Sequence, residues 1–293
     1  MLTRIFTAAL LIPLVVLAVL YLSPNSFAVG LGAVALLSLY EWFKLFIKPS
    51  KRNSIKFLFG LSIYLLGGIG LMVFASAGEL YHYHSDSLLF QILVGFWIGI
   101  FLWMWLAKPL KSYPTQIIVN HSLDSFGLGQ LAWLLTGYIV VIGFWLGVMT
   151  LRVMPTLGPI YILSLFVFVW LADSGAYFIG KKFGQTKIFP KGSPNKTFAG
   201  FFGGYFSAVM IAIITYVNLD HLNSMPIWQF ILLASVLYLF AVYGDLFESV
   251  IKRLQGVKDS GQILPGHGGI LDRLDSLYAT VPLYTLILTH YLI

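Results

Sequence analysis

Nine apolar stretches follow one another along this 293-residue chain, each close to the length that crosses a lipid bilayer. A spanning helix needs about 20 mostly apolar residues, and its backbone must satisfy its own hydrogen bonds there. The stretches run roughly over 5–22, 27–47, 55–77, 88–107, 128–150, 157–180, 198–217, 226–247 and 270–292. They predict an all-α fold, a polytopic integral membrane helix bundle of about nine transmembrane helices. Arg4 ahead of the first run gives it the outline of a signal peptide. The run is long, shows no small-residue cleavage site and leads directly into a second span, so it reads as a helix. With 59% of residues hydrophobic and only 10% charged, a water-soluble fold of this length and a disordered chain are both excluded.

The basic residues orient the bundle. With the N-terminus cytoplasmic, the inner loops hold Arg4, the five Lys and Arg of 44–56, Lys108 and Lys111, the five lysines of 181–196, and Lys252, Arg253, Lys258 and Arg273. Of the 18 basic residues only Arg152 falls outside. Miscounting by one span would scatter them over both faces, so the bias is a positive-inside signal. It places the C-terminus outside. It also makes the +7 net charge a topology signal rather than a nucleic-acid footprint. The outer loops 79–87, 152–156 and 218–225 are short and bland; the inner ones combine Gly, Pro and Lys. Residues 1–120 read as N-terminal membrane helices and 121–293 as catalytic membrane helices with a site on the cytoplasmic face.

Carboxylates inside spans cost about 3 kcal/mol on insertion scales, so each needs a reason. Glu41, in Tyr40-Glu41-Trp42-Phe43-Lys44, reads first as an interfacial anchor beside aromatics and Lys44. Asp272 and Asp275 are three residues apart and share a face if the ninth helix has begun there. Two like charges at that spacing repel, and a bound divalent cation removes the conflict. Cysteine is absent, so any metal must sit on oxygen or imidazole. Oxygen donors suit a hard ion such as Mg2+. The competing account is two helix-N-terminal carboxylates satisfied by the helix dipole, with Arg273 neutralising one. Asp245 and Glu248 form a second pair. Glu248 and Lys252, at i,i+4, make a simple helix-surface ion pair, whereas Asp245 follows Gly244 and has no obvious partner in its own helix.

Between these pairs runs a loop, 258–269, that contains Gly266, His267, Gly268 and Gly269. Its N–H groups can form an anion-binding nest, or the run can be a flexible connector. His267 can donate to a phosphate or merely cap the loop. Lys252, Arg253 and Lys258 on one side and two aspartates on the other suit a nucleoside triphosphate. The preceding inner loop repeats the theme: Asp173, then Lys181 and Lys182, then Ser193, Lys196 and Thr197 opening the seventh helix. Those residues suit phosphate, or an N-cap with positive-inside lysines.

Residues 249–275 read S-V-I-K-R-L-Q-G-V-K-D-S-G-Q-I-L-P-G-H-G-G-I-L-D-R-L-D. This closely resembles the signature of the phosphatidate cytidylyltransferase (CDP-diacylglycerol synthase) family, S-x-x-K-R-x4-K-D-x5-P-x-H-G-G-x-x-D-R-x-D, at every fixed place. Ser193-Pro194-Asn195-Lys196-Thr197, followed by Gly200, resembles its other loop motif, with Ala199 where the family often has Glu or Gln. The resemblance implies a multi-pass enzyme that converts CTP and phosphatidate to CDP-diacylglycerol and pyrophosphate with Mg2+. It places the metal-binding aspartates on Asp245, Asp272 and Asp275; a second cation would fit without being demanded. It implies catalytic roles for Asp245, Lys252, Arg253, Lys258, His267, Asp272, Arg273 and Asp275. The substrate-binding set is then Asp173, Ser193, Lys196, Thr197, Gly266, Gly268 and Gly269. The expected partners are CTP, phosphatidate and the bilayer, with no nucleic acid, and the setting is the inner (cytoplasmic) membrane. A homodimer is a further expectation, although no heptad or small-residue stripe specifies one.

The chemistry needs no Ser–His pair, because a lipid phosphate is already an anion near neutral pH. The obstacle is charge repulsion, which positioning and neutralisation must overcome. Two rivals remain at this stage. A transporter would place its charges near the midplane, often in paired repeats; here they collect at one face and no repeat is visible. A CTP-dependent polyprenol kinase would need help deprotonating an alcohol.

Overall fold

In a computed structural model that describes residues 2–47, 54–77, 87–106, 127–155, 157–189, 193–218, 225–264, 266 and 268–291, each apolar stretch is a helix. The helices are α1 (Leu2–Tyr21), α2 (Pro24–Phe46), α3 (Ser54–Ala77), α4 (Ser87–Leu106), α5 (Leu128–Val153), α6 (Gly158–Phe183), α7 (Phe198–Asn218), α8 (Ile227–Leu254) and α9 (Leu271–Tyr291). The fold is the expected all-α membrane bundle. Among the described residues, α2 to α8 are each long and apolar enough to cross a bilayer. The boundary at residue 120, Lys108, Lys111 and the loop basics Lys48, Lys51, Arg52 and Lys191 lie outside the described residues.

Local chemistry sets the helix ends. Ser23 caps α2 by accepting from the Ser26 N–H, with Pro24 in the first turn, where a missing N–H costs nothing. Successive helices run in opposite directions. Arg152, at the end of α5, donates to the Leu22 carbonyl between α1 and α2 at 2.6 Å. At the opposite end, Trp42 Nε1 of α2 donates to the Trp133 carbonyl near the start of α5 at 2.8 Å. The single basic residue assigned to the outer face therefore sits at the end remote from the inner loops.

The most polar helix is the central one. α9 opens on Asp272, Arg273 and Asp275 and carries Thr280 and Thr285, yet it packs against α2, α4, α5, α6 and α8. Thr280 and Thr285 are fully buried and donate to carbonyls one turn back in α9. A helix shielded from lipid on several sides does not need the apolar surface its neighbours present.

Two departures from the expected elements bear on the site. α8 continues past its apolar stretch to Leu254, with Lys252 and Arg253 in the last turn, where they complement the negative end of the helix dipole. Asp245, Glu248 and Lys252 thus project from one rigid helix. Second, the inner loop after α6 forms a small antiparallel hairpin, β1 (Lys187–Phe189) with β2 (Ser193–Thr197), inside an otherwise helical chain. The Phe198 N–H donates to the Thr186 carbonyl and joins this hairpin to the start of α7. Below it α6 and α7 approach so closely that a side chain on Gly180 would lie 3.1 Å from the Gly200 Cα. That contact fixes the hairpin against α6.

Candidate active site

The ionic side chains gather where α2, α6 and α8 end and α7 and α9 begin. Lys252 is the hub. Its Nζ lies 3.0 Å from Glu248 Oε2 and 2.6 Å from Asp272 Oδ1. The Glu248–Lys252 pair has the expected spacing but not the expected setting: it is buried, with Glu248 only 4% exposed and its Oε1 without a partner. α9 packs over what would otherwise be a surface pair.

Asp272 is engaged on both oxygens. While Oδ1 takes Lys252, Oδ2 accepts from the Gly269 N–H (2.7 Å), the Ser260 N–H (2.9 Å) and the Ser260 hydroxyl (3.0 Å). It folds the glycine loop onto the start of α9. This changes the reading of the glycines. The Gly269 N–H, expected to face a phosphate, is turned to Asp272, and a side chain on Gly268 (φ +85°) would collide with the same carboxylate. The Gly268 carbonyl accepts from the Leu264 N–H, which closes the loop. Gly266 also has a positive φ, 74°. His267 lies outside the described residues.

The partner that Asp245 lacks in α8 comes from the hairpin: Lys196 Nζ lies 2.5 Å from its Oδ2. Ser249, one turn on, is a long 3.4 Å from Oδ1. Together Lys196 and Asp245 line a cavity of about 310 Å3 with Asp173, Ser193, Thr197 and Tyr238. Thr197 also caps α7, its Oγ1 accepting from the Gly200 N–H at 3.1 Å. This is the N-cap reading of that residue. Asp275 interacts electrostatically with Asp245 and Asp173, and Asp173 with Lys196 and Arg273. Among the described residues Asp275 forms no ion pair. Lys258 and Arg273 are exposed, and Arg253 makes a long 3.4 Å contact to the Val257 carbonyl.

Sequence reasoning missed the place of Glu41. It is no interfacial anchor: it is 1% exposed and reaches the glycine loop from α2. Its Oε2 accepts from the Ser260 hydroxyl (3.1 Å) and the Leu271 N–H (3.0 Å). The available signal was Ser38, three residues earlier. Both residues lie on one face of α2, and Ser38 accepts from the buried Tyr278 hydroxyl of α9 at 2.7 Å.

Does this arrangement fit a divalent cation? Among the described residues no three acidic or histidine side chains stand close enough to hold an ion as they are. The donor chemistry nevertheless fits at one place. Asp245 and Asp275 are hard oxygen donors under mutual repulsion, with Asp173 beside them. Asp272 could join them only by giving up bonds to Lys252 and the loop.

Fold and site together define a multi-pass helical membrane protein with a charged, cavity-bearing site at one end of its bundle. The chain belongs to the cytidylyltransferase family, whose sequence profile matches residues 2–291. It is 37% identical to the phosphatidate cytidylyltransferase of Haemophilus influenzae over 292 residues, which covers 96% of each chain. The enzymes of the same name from Staphylococcus epidermidis and Staphylococcus aureus are 48% and 47% identical over 45% of this chain and 50% of theirs.

Proposed function

We propose that this chain is a phosphatidate cytidylyltransferase. It transfers the cytidylyl group of CTP to phosphatidate at the cytoplasmic face of the inner membrane, with its N-terminus inside and its C-terminus outside. A phosphate oxygen of the lipid forms the new bond to the α-phosphorus of CTP. The bond from that phosphorus to the β-phosphate bridge breaks, and pyrophosphate leaves. The observation that carries this reading is the convergence of Lys196, Asp245 and Asp173 on one cavity, with Asp275 close to both acids, in a chain of this family.

The residues divide the work by position. Lys196 is only 24% exposed in its side chain and stands at the cavity wall, where exchange of its aspartate partner for a phosphate oxygen would anchor the nucleotide. The exposed Lys258 and Arg273 screen the charge of the entering triphosphate. The Lys252–Asp272–Ser260 cluster holds the loop rigid, and positioning of this kind supplies much of the barrier reduction when no proton must move. Asp245 and Asp275 would hold a divalent cation, Mg2+ by their donor chemistry. When bound it would supply charge neutralisation at the phosphates. On the lipid side, an apolar cavity of about 650 Å3 is bounded by α1, α2, α5 and α6 and reaches Leu274, the neighbour of Asp275. Its volume and apolar lining suit acyl chains. By family resemblance the proposal includes a homodimer, which cross-linking in membranes tests.

Purified protein with Mg2+, CTP and phosphatidate is expected to yield CDP-diacylglycerol and pyrophosphate in equal amounts. CDP with a newly phosphorylated lipid alcohol would make the chain a kinase, and solute flux without nucleotide turnover a transporter.

A further inference from the structure

We propose that Glu41 is a positioning residue: from α2 it holds the 259–271 loop, and through Ser260 and Asp272 the hub lysine, in working order. Four observations converge on it. A glutamate 1% exposed within a membrane helix is costly. The hydrogen bonds of its carboxylate to Ser260 and Leu271 reach the glycine loop and the start of α9, more than 200 residues away in sequence. The Ser260 hydroxyl stands between Glu41 Oε2 (3.1 Å) and Asp272 Oδ2 (3.0 Å). It has one hydrogen and bonds one carboxylate at a time, so the two acids are coupled through it. Finally, the backbone makes room for Glu41: a side chain at Gly261 or Gly269 would occupy the space of its carboxylate. Two glycines of the loop are thereby explained by an acid in a distant helix rather than by a phosphate.

The chain of contacts then runs from Glu41 to Ser260, Asp272 and Lys252. Removing the first link loosens the loop that the others depend on. A carboxylate that merely filled space would behave otherwise, because an apolar residue of similar size would replace it at no loss, or with a gain.

The test is hydrogen exchange by mass spectrometry on the full chain in nanodiscs, with kinetics alongside. Glu41→Ala is expected to speed exchange of the 258–271 amides by about tenfold or more, while α5 and the buried part of α9 stay protected. Glu41→Gln keeps the acceptor oxygen and should remain close to wild type. Glu41→Met keeps the bulk but not the acceptor and should behave like Glu41→Ala. Should Glu41→Ala fail to fold, Gly261→Ala displaces the carboxylate from the loop side and is expected to give the same local effect. Wild-type exchange over 258–271 in Glu41→Ala overturns the proposal. So does protection in Glu41→Met equal to wild type, or an increase spread evenly over all helices. In the kinetic arm, kcat is expected to fall by about ten- to hundredfold in Glu41→Ala and Glu41→Met but not in Glu41→Gln. That arm rests on the cytidylyltransferase reading. A wild-type protein inert toward CTP and phosphatidate would sink that reading alone, and the exchange data would still decide Glu41.

Discussion

Replacing Lys252 with methionine isolates what the hub is worth. The side chains concerned are largely sequestered: Lys252 is 12% exposed, Glu248 5% and Asp272 6%. Methionine fills most of the aliphatic volume, so little cavity cost arises. What disappears is the charge and two hydrogen bonds, at 3.0 and 2.6 Å. Bonds to charged groups contribute about 1.5–3 kcal/mol each, and stranding a buried partner costs about 3–5 kcal/mol in all. Glu248 suffers most, because its Oε1 already lacks a partner; Asp272 keeps three loop donors. Equilibrium unfolding in mixed micelles should therefore show Lys252→Met destabilised by about 3–5 kcal/mol. Adding Glu248→Gln removes one stranded charge and should restore about 1–2 kcal/mol, a coupling typical of residues in contact. Lys44→Ala, whose exposed ammonium only approaches the Tyr40 ring and hydroxyl, is the control and should change neither stability nor turnover. A Lys252→Met protein within about 0.5 kcal/mol of wild type, the usual range for surface substitutions, would refute the buried-hub account. An additive double mutant would refute the coupling.

Other outcomes follow from the same geometry. Asp275→Asn should abolish CDP-diacylglycerol formation while leaving the unfolding midpoint unchanged or raised, since it relieves repulsion with Asp245 and Asp173; full activity would remove Asp275 from the proposed ligand pair. Lys196→Ala loses a partly exposed pair and should cost at most about 1 kcal/mol of stability, yet it should raise KM for CTP more than it lowers kcat. An unchanged KM would place the triphosphate elsewhere. Gly30 lines the apolar cavity and has open space where a side chain would go. Gly30→Phe should therefore fold normally and raise KM for long-chain phosphatidate with KM for CTP unmoved; equal effects on both substrates would remove the acyl chains from that cavity.

Much of the architecture was legible because the bilayer makes it so. Apolar runs of spanning length must become helices, and all nine did. The Glu248–Lys252 pair was legible for a similar reason, as helical periodicity brings i and i+4 together whatever surrounds them. The 249–275 signature marked the loop but not how its groups are used. Gly269 was legible as a glycine that something must approach; a phosphate and a carboxylate would leave the same mark in the sequence.

The chain's own order of residues determined the bundle, its alternating helix directions and the gathering of charge at one end, because each depends on segment length, local period and the cost of burying polar groups in lipid. Only the tertiary structure decided who pairs with whom. Asp245 found Lys196 across a hairpin, Asp272 turned to Lys252 and the loop instead of standing free beside Asp275, and Glu41 crossed from α2 to the start of α9. Partners separated by 20 to 230 residues leave no periodic trace. They are chosen by which helix faces meet, and that is settled by packing at contacts such as Gly180 against Gly200 and Ser38 against Tyr278.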